Sequence, residues 1–222
     1  MRPRAIEIGV LKHYLLLLMY KRNQLIEAIS VMTGGAASNN QVRRLLDFDR
    51  ELPCNPRAND PEKANFAFFT DPPLGSGADV LFSDYEAFAL HTAWQLHEHG
   101  FTQGSAVTIM RRARPQLEPA HRRILKNNRN KPATPERVKA GSVAVGVSDP
   151  VFLQVGSKRG RPYEQENDFT RTVGVITHPE AMKEMLKEPG PSWSLFELVS
   201  SAKALHHALS KTKPSKRGRA RV

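Results

Sequence analysis

The chain has 222 residues, of which 40% are hydrophobic and 7% aromatic, with 14 Gly and 16 Pro: enough for a real core in one large domain or two small ones, with some loop or tail. The formal net charge of +11 is concentrated, because residues 111–139 carry ten Lys/Arg against Glu118 and Glu136, and residues 203–222 carry seven Lys/Arg and no acid. Two such patches on a slightly acidic body attract polyanions by long-range fields and counterion release, which favours nucleic acid over a membrane, an acidic protein surface or solvation alone, while the lone Cys54 excludes an internal disulfide and fits a reducing compartment.

Residues 6–21 read as a helix, with Ile6, Val10, Leu11, Tyr14, Leu15 and Leu18 at helical spacing. The continuous apolar run 14–20 is far shorter than the roughly 20 residues that span a bilayer, and no small-x-small cleavage site follows it directly, so a buried helix is expected rather than a signal peptide. Residues 24–48 read as two helices. The first carries Leu25, Ile26, Ile29 and Met32 and stops at Gly34-Gly35. Ser38 and Gln41 then form a capping box for the second, which turns Val42, Leu45 and Leu46 inward. Residues 49–79 are mostly loop. The burst Phe66-Ala67-Phe68-Phe69 is expected as one strand of a small hairpin returning at 79–82.

Ser83-Asp84-Tyr85-Glu86 is a strong capping box for a helix bearing Ala87, Phe88, Leu90, Ala93 and Trp94 and ending near Gly100. Thr102 caps the next helix, with Ala106, Val107, Ile109 and Met110, which Pro115 is expected to end or bend. Residues 121–126 add one more turn, and 127–141 read as a polar linker. The remainder suggests a small α+β unit: strands at 142–147, 151–155 and 171–177, a short helix at 179–187, and a final amphipathic helix capped by Ser194 and Glu197. That helix carries Leu195, Phe196, Leu198, Val199, Ala202, Leu205 and Leu209. A disordered basic tail is expected from about residue 211. The fold class is therefore mainly α with a small α+β C-terminal part. Its units are a helical domain at 1–126, the linker at 127–141, an α+β domain at 142–210 and the tail at 211–222.

Residues 24–46 have the form of a helix-turn-helix whose second helix exposes Asn39, Asn40, Gln41, Arg43 and Arg44. Amide and guanidinium groups match base edges and phosphates in the major groove, and a helix N-terminus favours phosphate. An ordinary helical hairpin with a polar outer face has the same pattern, and Glu27 and Asp47 offset the two arginines. A helix-turn-helix, a loop, then Phe82-Ser83-Asp84-Tyr85-Glu86-Ala87 through Leu96, His99-Gly100-Phe101-Thr102 and Ala106 to Met110 resembles the DNA-binding domain of MerR-type transcription regulators. The resemblance covers residues 24–114. It implies a winged helix-turn-helix-like N-terminal domain, with 38–46 as recognition helix and 66–82 as wing. The wing segment is longer than usual and lacks the family's Tyr-Arg-Tyr-type signature, and a basic, proline-broken segment replaces the long dimerisation helix. Effectors and dimer geometry therefore do not carry over.

Arg111, Arg112, Arg114, Arg122 and Arg123 are expected to hold phosphates. Lys158-Arg159-Gly160-Arg161-Pro162 resembles the core of an AT-hook, in which Gly lets the backbone lie deep in a narrow minor groove between two arginines. Lys216-Arg217-Gly218-Arg219 repeats it without the proline. A hairpin loop and a charged tail are the plain alternatives. Catalysis has little support: His97 and His99 are two apart and share no helical face, His91 reads as a core or capping histidine, and no phosphate-loop or nucleophile–base pattern is present. The expectation is thus a cytoplasmic DNA-binding protein, a bacterial transcriptional regulator, with DNA as partner and a homodimer left open. No enzymatic role, cofactor, metal, membrane or small-molecule ligand is expected. The alternative is a non-enzymatic helical interaction protein that docks a partner on its C-terminal helix and whose basic tail meets RNA or an acidic protein.

Overall fold

The computed structural model describes residues 19–72, 80–128, 150–158, 170–177, 183 and 192–214. It is mostly helical with a small antiparallel sheet. The strand β1 (Tyr20–Lys21) leads directly into α1 (Arg22–Met32), and α2 (Asn39–Glu51) follows a tight turn. A single turn of helix, α3 (Pro61–Ala64), precedes β2 (Leu81–Phe82), α4 (Asp84–Glu98) and α5 (Gln103–Asn128). The chain continues through β3 (Val151–Lys158), β4 (Thr170–Thr177), β5 (Ser192–Glu197) and α6 (Val199–Lys211).

The capping boxes written in the sequence are formed. Ser38 Oγ accepts from the Gln41 amide, and Gln41 Oε1 accepts from the Ser38 amide at 2.9 Å. Ser83 and Glu86 repeat the arrangement at the start of α4, with Ser83 N–H donating to Glu86 Oε2 at 2.7 Å. Between α1 and α2 the backbone turns left-handed at Gly34 (φ 59°) and Gly35 (φ 87°). That lets the Gly35 N–H reach the Ser30 carbonyl at 2.8 Å. A side chain there would cost about 1–2 kcal/mol.

Several expectations change. Residues 20–21 are a strand rather than a helix end: Tyr20 pairs with Phe82 and Lys21 with Leu81. The rest of the expected helix at 6–21 lies outside the described residues. The Phe66–Phe69 segment is not a hairpin strand. Ala67, Phe68 and Phe69 are buried as loop, and Phe82 finds its partner before α1 instead. Pro115 does not end its helix, since α5 runs 26 residues through both Pro115 and Pro119. The two prolines are four apart and both exposed, so the main-chain bonds they break lie on one outer face where water can take them. Burial of Leu117, Ala120, His121 and Ile124 holds the far half of the helix down. Ser194 caps no helix, because it is inside β5. Glu197 does the capping, its carboxylate accepting from the Val199 amide at 2.7 Å and the Ser200 amide at 2.9 Å.

The three-stranded sheet has order β4-β3-β5, all antiparallel, with Leu153 opposite Val175 and Phe196. Leu153, Val155 and Phe196 join the same buried cluster as the N-terminal helices. So do Val199, Ala202, Leu205 and Leu209, which pack α6 against α1, α4 and α5. At the edge strand β4, Gln116 Oε1 of α5 accepts from the Val175 amide at 2.9 Å. Residues 127–128 of the expected linker instead end α5; the rest of the linker, the expected strand at 142–147 and the tail beyond 214 lie outside the described residues, as does all of the expected helix at 179–187 except Lys183.

Candidate nucleic-acid interface

The α2 helix divides cleanly. Val42, Leu45, Leu46 and Asp49 are buried, while Asn39, Asn40, Arg43, Arg44, Asp47, Arg50 and Glu51 are exposed. At 100° per residue the exposed set covers one continuous face. Gln41 belongs to neither group. It is half-buried and its side-chain oxygen is taken by the cap, so it holds the helix start rather than offering that acceptor to a base. Asp47 lies near the centre of the outer face, and Arg50 Nη1 is 3.5 Å from its Oδ1. The face is thus only weakly positive, with Arg43, Arg44 and Arg50 against Asp47 and Glu51.

What fixes this face is an ion pair under it. Asp49, fully buried, receives the amides of Ala67 and Phe68 and the Nε of Arg111 at 2.6 Å. Arg111 is 1% exposed and also donates to the carbonyls of Asp49, Leu52 and Pro53. Arg114 is buried too. Its Nη1 donates to the carbonyls of Phe66 and Phe69, and its guanidinium lies 5.3 Å from the Tyr85 ring centroid. Arg111 and Arg114 are therefore removed from the phosphate-contact set. The loop after α2 buries aromatic side chains without strand pairing, so its carbonyls need donors from elsewhere. Arginine, with five N–H groups in a rigid fork, supplies several at once.

The remaining α5 arginines differ among themselves. Arg112 pairs with Glu62 at 2.7 Å, with a third of its side chain exposed. Arg122 is exposed and 3.2 Å from Glu118, and Arg123 is exposed. Arg159, Arg161, Arg217 and Arg219 lie outside the described residues. The apolar side of the C-terminal helix, the alternative docking surface, packs against α1, α4 and α5.

The histidines are built into the body. His91 is 3% exposed and lies against Trp94, and burial lowers its pKa to about 4. His121 stacks on Phe88 with ring centroids 4.6 Å apart. Burial first, then the nearby His206 and Arg122, lower its pKa to about 4. Tyr20 is pushed up to about 12 by burial and by Asp84, to which it hydrogen-bonds. His97 donates through Nδ1 to the Phe101 carbonyl at 3.0 Å. Among the described residues, no three His, Cys, Asp or Glu side chains gather as a metal site, and no helix is long and apolar enough to cross a membrane. Sequence reading missed the inward role of Arg111 and Arg114. The available signal was their spacing: with Met110, Ala113 and Leu117 they continue the apolar stripe of α5. No family model matches the chain, and no curated protein or solved structure matches it either.

Proposed function

We propose that the chain binds duplex DNA through the outer face of α2, in a helix-turn-helix arrangement of the MerR kind, and serves as a regulator of transcription. One observation carries the reading: Asn39, Asn40, Arg43 and Arg44 stand exposed together on the first turns of α2, while the opposite face is locked by Val42, Leu45 and Leu46. Amides and guanidinium groups at the start of a rigid helix suit base edges and phosphates in a major groove. Two features support it. The β1–β2 ladder ties the start of α1 to the approach to α4, so the two-helix unit is held against the helix pair behind it. The exposed Arg122 and Arg123 add positive charge beyond it.

Affinity here comes mainly from phosphate contacts, since the α2 face is weakly charged. A fluorescence-anisotropy titration of a labelled duplex at increasing salt tests the reading. Binding should weaken steeply with salt, and Arg43→Ala with Arg44→Ala should lower the log–log slope by about 2. Salt-independent binding, or an unchanged slope in that variant, rejects α2 as the contact.

A further inference from the structure

We infer that the junction of α1 with the end of α6 is a second phosphate-contact surface, which engages the same duplex as α2. This rests on the duplex reading above. Gln24, in the first turn of α1, donates through Nε2 to Thr212 Oγ1 at 3.2 Å, and Thr212 in turn donates to the Leu209 carbonyl at 2.8 Å. The bond joins residues 188 apart in sequence. It places the first turn of α1, which carries the exposed Arg22, beside the end of α6, where Lys211 and Lys213 are exposed.

No acidic residue occupies the first turn of α1, and no acid occurs in residues 203–222. Asp84, an acid close to this junction through Tyr20, is only 16% exposed at its side chain. Glu27 is the exposed acid of α1, so basic side chains outnumber acidic ones on this stretch of surface. Immediately after Lys213 the sequence adds Lys216, Arg217, Arg219 and Arg221.

Reach decides whether one duplex can meet both surfaces. The α1 helix has 11 residues, so its start lies about 16 Å from the turn into α2. Two phosphate-contact regions so separated fall within about one turn of duplex, roughly 34 Å. A single duplex seated on α2 is therefore long enough to span the distance to the junction.

The test uses the full chain, a 20-base-pair labelled duplex and two variants. The junction variant carries Arg22→Ala, Lys211→Ala and Lys213→Ala, all at exposed positions, with an unchanged melting curve as the check on folding. The α2 variant carries Arg43→Ala and Arg44→Ala. The expected result is one duplex per chain and a junction-variant salt slope lower by about 3, since each phosphate left unneutralised removes about 0.9 from the slope. The α2 variant should lower it by about 2. An unchanged slope in the junction variant overturns the second surface while leaving the α2 reading intact if the α2 variant still loses affinity. Two duplexes bound per chain overturn the claim of a shared duplex. Tighter binding of a single-stranded RNA of equal charge than of the duplex overturns the choice of partner.

Discussion

Asp49 of α2 and Arg111 of α5 form an ion pair at 2.6 Å whose side chains are 0% and 2% exposed. It joins the proposed recognition helix to the long helix behind it through charge. Removing one member leaves an uncompensated buried charge, which typically costs about 3–5 kcal/mol. Arg111→Ala is expected to lose stability of that order in urea denaturation, with loss of duplex binding only as far as the fold is lost. A cost below about 1 kcal/mol would show that the pair does not hold α2.

Arg114 makes a sharper separation of structure from binding. Arg114→Ala leaves the Phe66 and Phe69 carbonyls without their donor, at about 1–3 kcal/mol for each unsatisfied buried group. The salt slope of duplex binding, measured where the variant is still folded, should match that of the unaltered chain. A drop of about 1 in that slope would return Arg114 to the phosphate-contact set.

His91 and His121 predict the direction of pH dependence. Their folded pKa values, lowered to about 4, lie below the unfolded value of 6.5. Between those limits the unfolded chain binds protons that the folded chain refuses, so stability rises with pH and is lost as pH falls from about 6.5 towards 4. Each histidine contributes on the order of 3 kcal/mol across that window. Thermal melts from pH 7.5 to 4.5 should show a falling midpoint, and His121→Phe should flatten the curve. A flat profile for the unaltered chain would contradict neutral burial.

Gly156 of β3 lies beneath the Trp193 ring, where an added Cβ would meet three ring carbons at less than contact distance. Gly156→Ala should destabilise the sheet by about 1–3 kcal/mol, as overpacking does. Chemical denaturation measures this. A variant as stable as the unaltered chain would mean that Trp193 moves aside freely.

The helices were legible where local signals agree. Ser38 with Gln41, Ser83 with Glu86, and Gly34-Gly35 mark three boundaries within the sequence itself, because caps and left-handed turns depend on neighbouring residues alone. The β1–β2 pairing was not legible, since Tyr20 and Phe82 are joined by packing across a long stretch of intervening chain rather than by a turn. Ser194 and Glu197 gave a false cap for a related reason: the spacing of a capping box also fits a strand whose last carboxylate bends over the next helix. Pro115 does not end α5, because its exposure depends on which face of the helix the core takes. At the candidate interface, Arg43 and Arg44 could be oriented from helical period alone. The same period also places Arg111 and Arg114 on the apolar stripe of α5, but the carbonyls between residues 49 and 69 that make buried arginines tolerable there are brought together only by the fold.

The seating of α6 against α1 has a consequence for how the chain is made. At about 5–20 residues per second, synthesis of α6 follows that of α1 by roughly 10–35 s. For that interval Leu25, Ala28 and Ile29 of α1 lack the surface that finally covers them. The N-terminal helices should therefore acquire native packing only near the end of translation, and nascent chains halted before residue 199 should be the ones that chaperones hold.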